Sequence, residues 1–205
     1  MTTRRILEWA GLAAGVVLIA FGIGALYMGI DGRSVVRDSI KQEQITFGDA
    51  SDPAVAKHAP QWAGQLVTNG DQARAFAKVM REHTLEATGG LTYSQMGRYQ
   101  LASNPNDAKG TNDTAAAAKD AKGQPVANTA RDIWVTETAL TSALNMSYMA
   151  EQLSVFGIVV GVALLLAGIG FAVLAIGGAL RNPETAFGFA KRFQHTAQAP
   201  AVPLA

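Results

Sequence analysis

Two long runs of apolar residues lie near the ends of the chain, and a more polar segment separates them. No charged residue interrupts the sequence from Ala10 to Ile30. As a helix, at about 1.5 Å per residue, this run covers about 30 Å, which is the thickness of the hydrocarbon core of a bilayer. The second run, 153–180, is also uncharged and is longer than the ~20 residues that a span needs, so it crosses with tilt or projects past the interface. The pattern predicts an all-α membrane protein built on a hairpin of two transmembrane helices.

The first run also has to be compared with a cleaved signal peptide. Arg4 and Arg5 give it a charged beginning. However, its apolar stretch exceeds the roughly 7 to 15 residues of a signal sequence, and no small-residue cleavage site follows Tyr27. We expect this segment to be retained as a membrane helix.

Basic residues close to the two runs predict the orientation of the chain. The tails, 1–9 and 181–205, carry most of them, namely Arg4, Arg5, Arg181, Lys191 and Arg192. The middle segment has no Lys or Arg between Asp132 and Gln152. Since Lys and Arg near spans stay in the cytoplasm, we expect a multi-pass protein of the cell (plasma) membrane with both termini cytoplasmic. Residues 31–152 then form an extracytoplasmic domain.

Small residues recur at helical spacing within both apolar runs. They are Gly11, Gly15, Gly22, Ala25 and Gly29 in the first run, and Gly157, Gly161, Gly168, Ala172 and Ala175 in the second. In lipid, such stripes let helix backbones approach closely, so we assign these residues to helix packing. The alternative is that Gly and Ala are simply common in membrane helices, because Ala14, Ala20, Gly24 and Gly170 lie off the stripes. The partner of each stripe is either the other span of the same chain or a span of another chain.

The middle segment contains three stretches with helical patterns. Residues 34–44 extend the first span, and 71–87 form an amphipathic helix that Asp71 can cap and Gly89 can end. Residues 129–152 contain neither Pro nor Gly and lead directly into the second span. We therefore expect a small, mostly helical domain.

Two stretches of the same segment carry no such pattern. Residues 48–60 are interpreted as an irregular connection. Residues 103–130 contain no aromatic residue and only one large aliphatic residue, Val126. Such a composition is typical of a mobile loop.

Composition and charge exclude several classes of function. The formal net charge is only +1, so the chain lacks the basic patch that a nucleic-acid partner requires. The chain contains no Cys, which excludes disulfides, thiolate metal sites and a catalytic thiol. Neither span contains Asp, Glu, Lys, Arg or His, and this disfavours transport by the chain alone. The lipid bilayer is the partner that the sequence predicts most directly.

Histidines offer one conceivable set of metal ligands. A non-haem iron site uses two His and one carboxylate, and His58 and His83 with Glu82 or Glu86 could supply them. In the predicted topology, His195 lies across the bilayer from these residues. No hydrolase, zincin, P-loop or dinucleotide-binding motif is present, so we assign no catalytic residue and no cofactor.

Aromatic and Arg side chains of the middle segment are the best candidates for contact with a protein partner. They are Tyr93, Arg98, Tyr99, Arg131 and Trp134. These residue types dominate contact hot spots. The alternative is that the aromatic rings fill the small core and the arginines are simply solvated.

Three segments, 89–101, 119–153 and 156–175, together resemble a family of small two-span membrane proteins from actinobacteria. The resemblance covers most of the chain. Members of that family are often labelled as aromatic ring-opening dioxygenases, which implies iron and an oxygenase partner. No motif in this chain matches a set of iron ligands of that kind.

These observations favour an integral membrane protein with an accessory, scaffolding or sensing role. Its partner would be another protein or further copies of the chain, bound through the transmembrane helices. The alternative function is that of an envelope metal-dependent oxygenase that uses His58 and His83.

Overall fold

The structure is a computed structural model that describes residues 3–177. The described chain is mostly helical and contains no β-strand longer than isolated bridges. The helices are α1 (Thr3–Gln42), α2 (Pro53–His58), α3 (Gly70–Ala87) and α4 (Thr129–Ile176), with short 3-10 turns at Pro60–Trp62 and Tyr93–Gln95. The end of the predicted second span, 178–180, and the predicted tail, 181–205, lie outside the described residues, as do the first two residues of the chain.

Helices α1 and α4 are each long and apolar enough to cross a membrane. Helix α1 continues without a break from the first apolar run to Gln42, and α4 enters the second run from Thr129, so both predicted extensions are confirmed. The described chain divides into two compact units. One unit contains α1 up to Ile30 and α4 from Phe156, and the other is Asp31–Val155.

Within the first unit, the small-residue stripes of α1 and α4 lie against each other. A Cβ atom added to Gly22 would lie 2.9 Å from the carbonyl oxygen of Gly161, and one added to Gly168 would lie 2.8 Å from that of Gly15. Contacts this short leave no room for a side chain, so the backbones themselves touch. As α1 advances from Gly15 to Gly22, its neighbour on α4 retreats from Gly168 to Gly161, and the two helices are therefore antiparallel. We call these four glycines the seam.

Burial separates the stripes from the other small residues of the same helices. The stripe residues are all buried or half-buried in the structure: Gly11, Gly15, Gly22, Ala25, Gly29, Gly157, Gly161, Gly168, Ala172 and Ala175. The off-stripe residues Ala14, Ala20, Gly24 and Gly170 are exposed, and a Cβ on Gly24 or Gly170 would meet nothing within 4 Å. Within the described residues, the contact of each stripe is thus with the other helix of the same chain.

The second unit is built around a small apolar core. Its fully buried side chains include Val55 of α2 and Val79 of α3, with Val67 between them in sequence. Phe47 lies at the centre of an aromatic group, with its ring stacked at 6.0 Å on Trp62 and in edge contact at 5.4 Å with Phe76. Val55 and Val79 belong to the same apolar cluster, which packs α2 against α3.

Helix α2 corrects the expectation that residues 48–60 are irregular. Asp52 is its N-cap, and the Asp52 carboxylate accepts hydrogen bonds from the backbone N–H groups of Ala54 and Val55. Pro53 occupies the first helical position, where its missing N–H costs nothing. The signal for this short helix was present in the sequence as an Asp–Pro pair.

Helix α3 confirms the prediction for residues 71–87, with a different cap. Asn69, and not Asp71, is the N-cap, and its side chain accepts a hydrogen bond from the backbone N–H of Gln72. After the helix, Gly89 adopts a positive φ of 62°, which glycine tolerates at a helix end.

Residues 97–128 have a defined arrangement that their composition did not predict. Three stretches bond to one another in pairs: Gln100 N–H donates to Val126 O, Val126 N–H donates to Ala118 O, and Ala118 N–H donates to Gln100 O. The side-chain amide of Asn128 closes the segment by donating to the carbonyl oxygens of Gly97 and Ala108. Since most of this bonding is between backbone groups, side-chain composition carries little trace of it.

Candidate functional site

A single buried carboxylate joins three helices in the second unit. Glu151 of α4 is 5% exposed, and its Oε1 accepts hydrogen bonds from Arg37 Nε at 2.7 Å and Arg33 Nε at 3.1 Å, both on α1. Its Oε2 accepts a hydrogen bond from the backbone N–H of Gly70, the first residue of α3. The N-terminus of a helix favours negative charge, so both kinds of donor stabilise the same anion. We call this group the Glu151 clamp.

The clamp also sets the charge state of Glu151. Burial raises the pKa of this carboxyl, but the hydrogen bonds from Gly70 N–H, Arg33 and Arg37 outweigh burial and leave the pKa below its usual value. Glu151 is therefore ionised at neutral pH. Sequence patterns do not single out Glu151, although an acidic residue just before the second span and two arginines just after the first are complementary in charge.

A cleft between α3 and α4 combines cations with a buried acid. Its volume is about 300 Å³, and its lining includes Arg74, Lys78 and Arg81 of α3 and Glu137 of α4. Glu137 is 3% exposed, and its carboxylate accepts one hydrogen bond, from Thr138 Oγ1 at 3.3 Å. We call this the basic cleft.

The two arginines of the basic cleft lie over aromatic rings and not against acids. The guanidinium of Arg74 lies 4.6 Å from the ring centre of Tyr148, and that of Arg81 lies 5.0 Å from the ring centre of Trp134. In the described part of the chain, neither arginine forms an ion pair, and Lys78 has no partner either. The N–H donors at the edges of the guanidinium groups remain available to a ligand.

The second unit also has an apolar groove of about 540 Å³. It is bordered by three helices, and its lining includes Ile40 of α1, Phe76 and Met80 of α3, and Leu140 and Leu144 of α4. Hydroxyl groups and one carboxylate, that of Glu43, lie among the lining residues. Most of the lining side chains are apolar, so the groove is suited to an apolar ligand or side chain.

The two histidines of the metal hypothesis bind different carboxylates. His58 Nε2 lies 3.3 Å from Glu82 Oε2, whereas His83 Nε2 lies 3.0 Å from Asp52 Oδ2. Hydrogen bonds from these partners lower the pKa of both acids: that from His83 acts on Asp52, and those from Lys57 and His58 act on Glu82. Among residues 3–177, no group of three His, Cys, Asp or Glu side chains could hold a metal ion. His195 lies outside those residues.

The structure divides the five residues predicted to contact a partner. The guanidinium of Arg131 lies 3.9 Å from the ring centre of Tyr93, which is 43% exposed, and Arg98 lies 5.8 Å from the ring centre of Tyr99. Trp134 is only 4% exposed, and its indole N–H donates to Leu91 O at 2.8 Å. Trp134 therefore belongs to the core, as the alternative for the aromatic residues predicted, while Tyr93 and Arg98 are exposed.

Comparisons with protein-family models, curated proteins and solved structures find no match to this chain.

Proposed function

We propose that this chain is an integral membrane protein that presents a small helical domain, residues 31–152, outside the cytoplasm and acts as an accessory, scaffolding or sensing component of a membrane assembly. One observation carries the proposal. The small residues of α1 and α4 are buried against each other, while most residues of both apolar stretches are exposed. An apolar surface of this extent needs lipid or protein around it.

The distribution of polar groups supports the same proposal. The apolar runs contain no Asp, Glu, Lys, Arg or His, whereas the clamp, the basic cleft and both histidine pairs all belong to residues 31–155. This separation of apolar runs from a polar segment is typical of a two-helix membrane anchor that carries a polar domain. The exposed Tyr93 and Arg98 are the side chains that we expect a partner protein to contact.

The topology predicts which positions an impermeant thiol reagent can reach. The chain has no Cys, so a single Cys introduced at Ser103 or at Thr196 reports on that position alone. We expect Ser103→Cys to react in intact cells and Thr196→Cys to react only after the membrane is permeabilised. Protein extracted into solution by carbonate, or the reverse labelling pattern, would contradict the topology.

The accessory role predicts that the protein is not alone in the membrane. After purification in a mild detergent, native mass spectrometry should find a stoichiometric partner or a homo-oligomer. A stable lone monomer would count against this role. Bound iron that is lost when both His58→Ala and His83→Ala are introduced would instead favour the oxygenase alternative.

A further inference from the structure

We propose that the basic cleft binds a small zwitterion, a ligand that carries an ammonium group and a phosphate or carboxylate group. The cleft lies wholly within residues 31–155, so its geometry is independent of how the apolar helices are oriented. The ammonium group would bind Glu137, and the anionic group would bind Arg74, Lys78 and Arg81.

Glu137 is a buried acid that has no cationic partner within the described chain. An ionised carboxylate removed from water is costly unless it is paired, and most buried charges have an ionic partner or several hydrogen bonds. Glu137 is 3% exposed and accepts a hydrogen bond only from the hydroxyl of the adjacent Thr138, within the described chain. An ammonium group placed in the cleft would supply the missing cation.

Three cations of α3 line the same cleft. Arg74, Lys78 and Arg81 follow one another at steps of four and three along α3, so they lie on the same face of that helix. Like charges at this spacing repel each other. Glu82, one turn after Lys78, does not offset this repulsion, because it is bound by Lys57 and His58. An anion between the three cations removes that repulsion.

The positions of the two arginines and the volume of the cleft limit the kind of ligand that the cleft can bind. The stacking of Arg74 on Tyr148 and of Arg81 on Trp134 favours these positions of the guanidinium groups before a ligand arrives, which reduces the ordering cost of binding. A volume of about 300 Å³ is at the lower end for ligand pockets. The ligand is therefore the size of an amino acid or of a phospholipid headgroup.

The test measures binding of three probes to the full chain in nanodiscs by isothermal titration calorimetry. We expect O-phosphoethanolamine, which has both charges, to bind more tightly than either inorganic phosphate or ethanolamine. Glu137→Gln should weaken the binding of O-phosphoethanolamine by about tenfold or more, since the amide can still accept a hydrogen bond from the ammonium group but no longer carries the opposite charge. It should leave phosphate binding no weaker, because the cations are unchanged.

Two further variants keep the test decisive. Lys78→Gln, at an exposed position, should weaken both O-phosphoethanolamine and phosphate without disturbing the fold. Glu86→Gln removes an exposed carboxylate of α3 that does not line the cleft, and it should bind all probes as the parent chain does. Circular dichroism checks that each variant is folded.

The lipid composition of the nanodisc distinguishes a lipid headgroup from a free zwitterion as the ligand. If the headgroup of a membrane lipid occupies the cleft, O-phosphoethanolamine should bind more weakly in nanodiscs of phosphatidylethanolamine than in nanodiscs of phosphatidylglycerol. Equal affinity in both indicates a free zwitterion. Failure of all three probes to bind, or equal affinity for phosphate and O-phosphoethanolamine, overturns the proposal.

Discussion

Replacing Gly168 by Val should destabilise the pairing of α1 and α4 by about 3 kcal/mol, the upper end of the usual cost of overpacking. A Cβ at this position would lie 2.8 Å from the carbonyl oxygen of Gly15 and 2.9 Å from the backbone nitrogen of Ile19. A flexible side chain could move away from such a contact, but a backbone cannot do so without moving the whole helix. The two helices must therefore separate, and the contacts along the seam are lost together.

The matched control is Gly170→Val. Gly170 is two positions away on the same helix, and an added Cβ there meets nothing within 4 Å. Because the two variants have the same composition, any intrinsic cost of valine in the helix cancels between them. Thermal unfolding in detergent, followed by circular dichroism, should show a clear loss of stability for Gly168→Val relative to Gly170→Val. Equal unfolding temperatures would mean that α1 and α4 do not pair through the seam.

Replacing Glu151 by Gln should cost the second unit about 2 kcal/mol. Breaking a buried ion pair typically costs more, about 3 to 5 kcal/mol, since a charge is left without its partner. Here the side chains of Arg33 and Arg37 are 42% and 37% exposed, so water can solvate them in the variant and the cost is smaller. The amide oxygen of Gln can still accept the hydrogen bond from Gly70 N–H. Its NH2 group then faces Arg33 and Arg37 and cannot accept from them, so the variant removes the charge together with those two hydrogen bonds.

The same variant tests the pH dependence of stability. Because the pKa of Glu151 is lowered in the folded chain, its contribution is present above the unfolded-state pKa of about 4.3 and is lost as the pH falls through the folded-state pKa. The difference in unfolding free energy between the parent chain and Glu151→Gln should be largest near pH 7 and should shrink in acid. Glu43→Gln, at an exposed position outside the clamp, serves as the control. A difference that does not change with pH would show that the ionised carboxylate is not what stabilises the junction.

Sequence periodicity predicted the helices because their stabilising contacts repeat along the chain. The stripe spacing identified the buried faces of α1 and α4, and an amphipathic pattern identified α3. The same reasoning missed α2, since six residues are too few for a repeat, although the cap Asp52 marked its start. Local patterns are informative when the interaction that holds an element is itself local.

The Glu151 clamp and the arrangement of the segment 97–128 could not be predicted from sequence patterns. Glu151 meets Arg37 across 114 positions of sequence, and no spacing rule connects residues so far apart. In the segment 97–128, most of the bonds use backbone groups that almost every residue carries, so a polar composition is compatible with a defined structure as well as with a mobile loop. The sequence predicted the residue types at the histidine pairs but not that each histidine binds its own carboxylate.

The clamp has a consequence for the chemical ageing of the protein. Asn69–Gly70 is an Asn–Gly bond, the kind most prone to deamidation, in which the glycine nitrogen attacks the carbonyl carbon of the asparagine side chain. Here the glycine nitrogen donates its hydrogen to Glu151 Oε2, and the asparagine carbonyl oxygen accepts a hydrogen bond from Gln72 N–H. These hydrogen bonds hold the side chain of Asn69 and the nitrogen of Gly70 in the capped geometry, so we expect the ring closure that deamidation requires to be slower in the folded chain than in the unfolded chain.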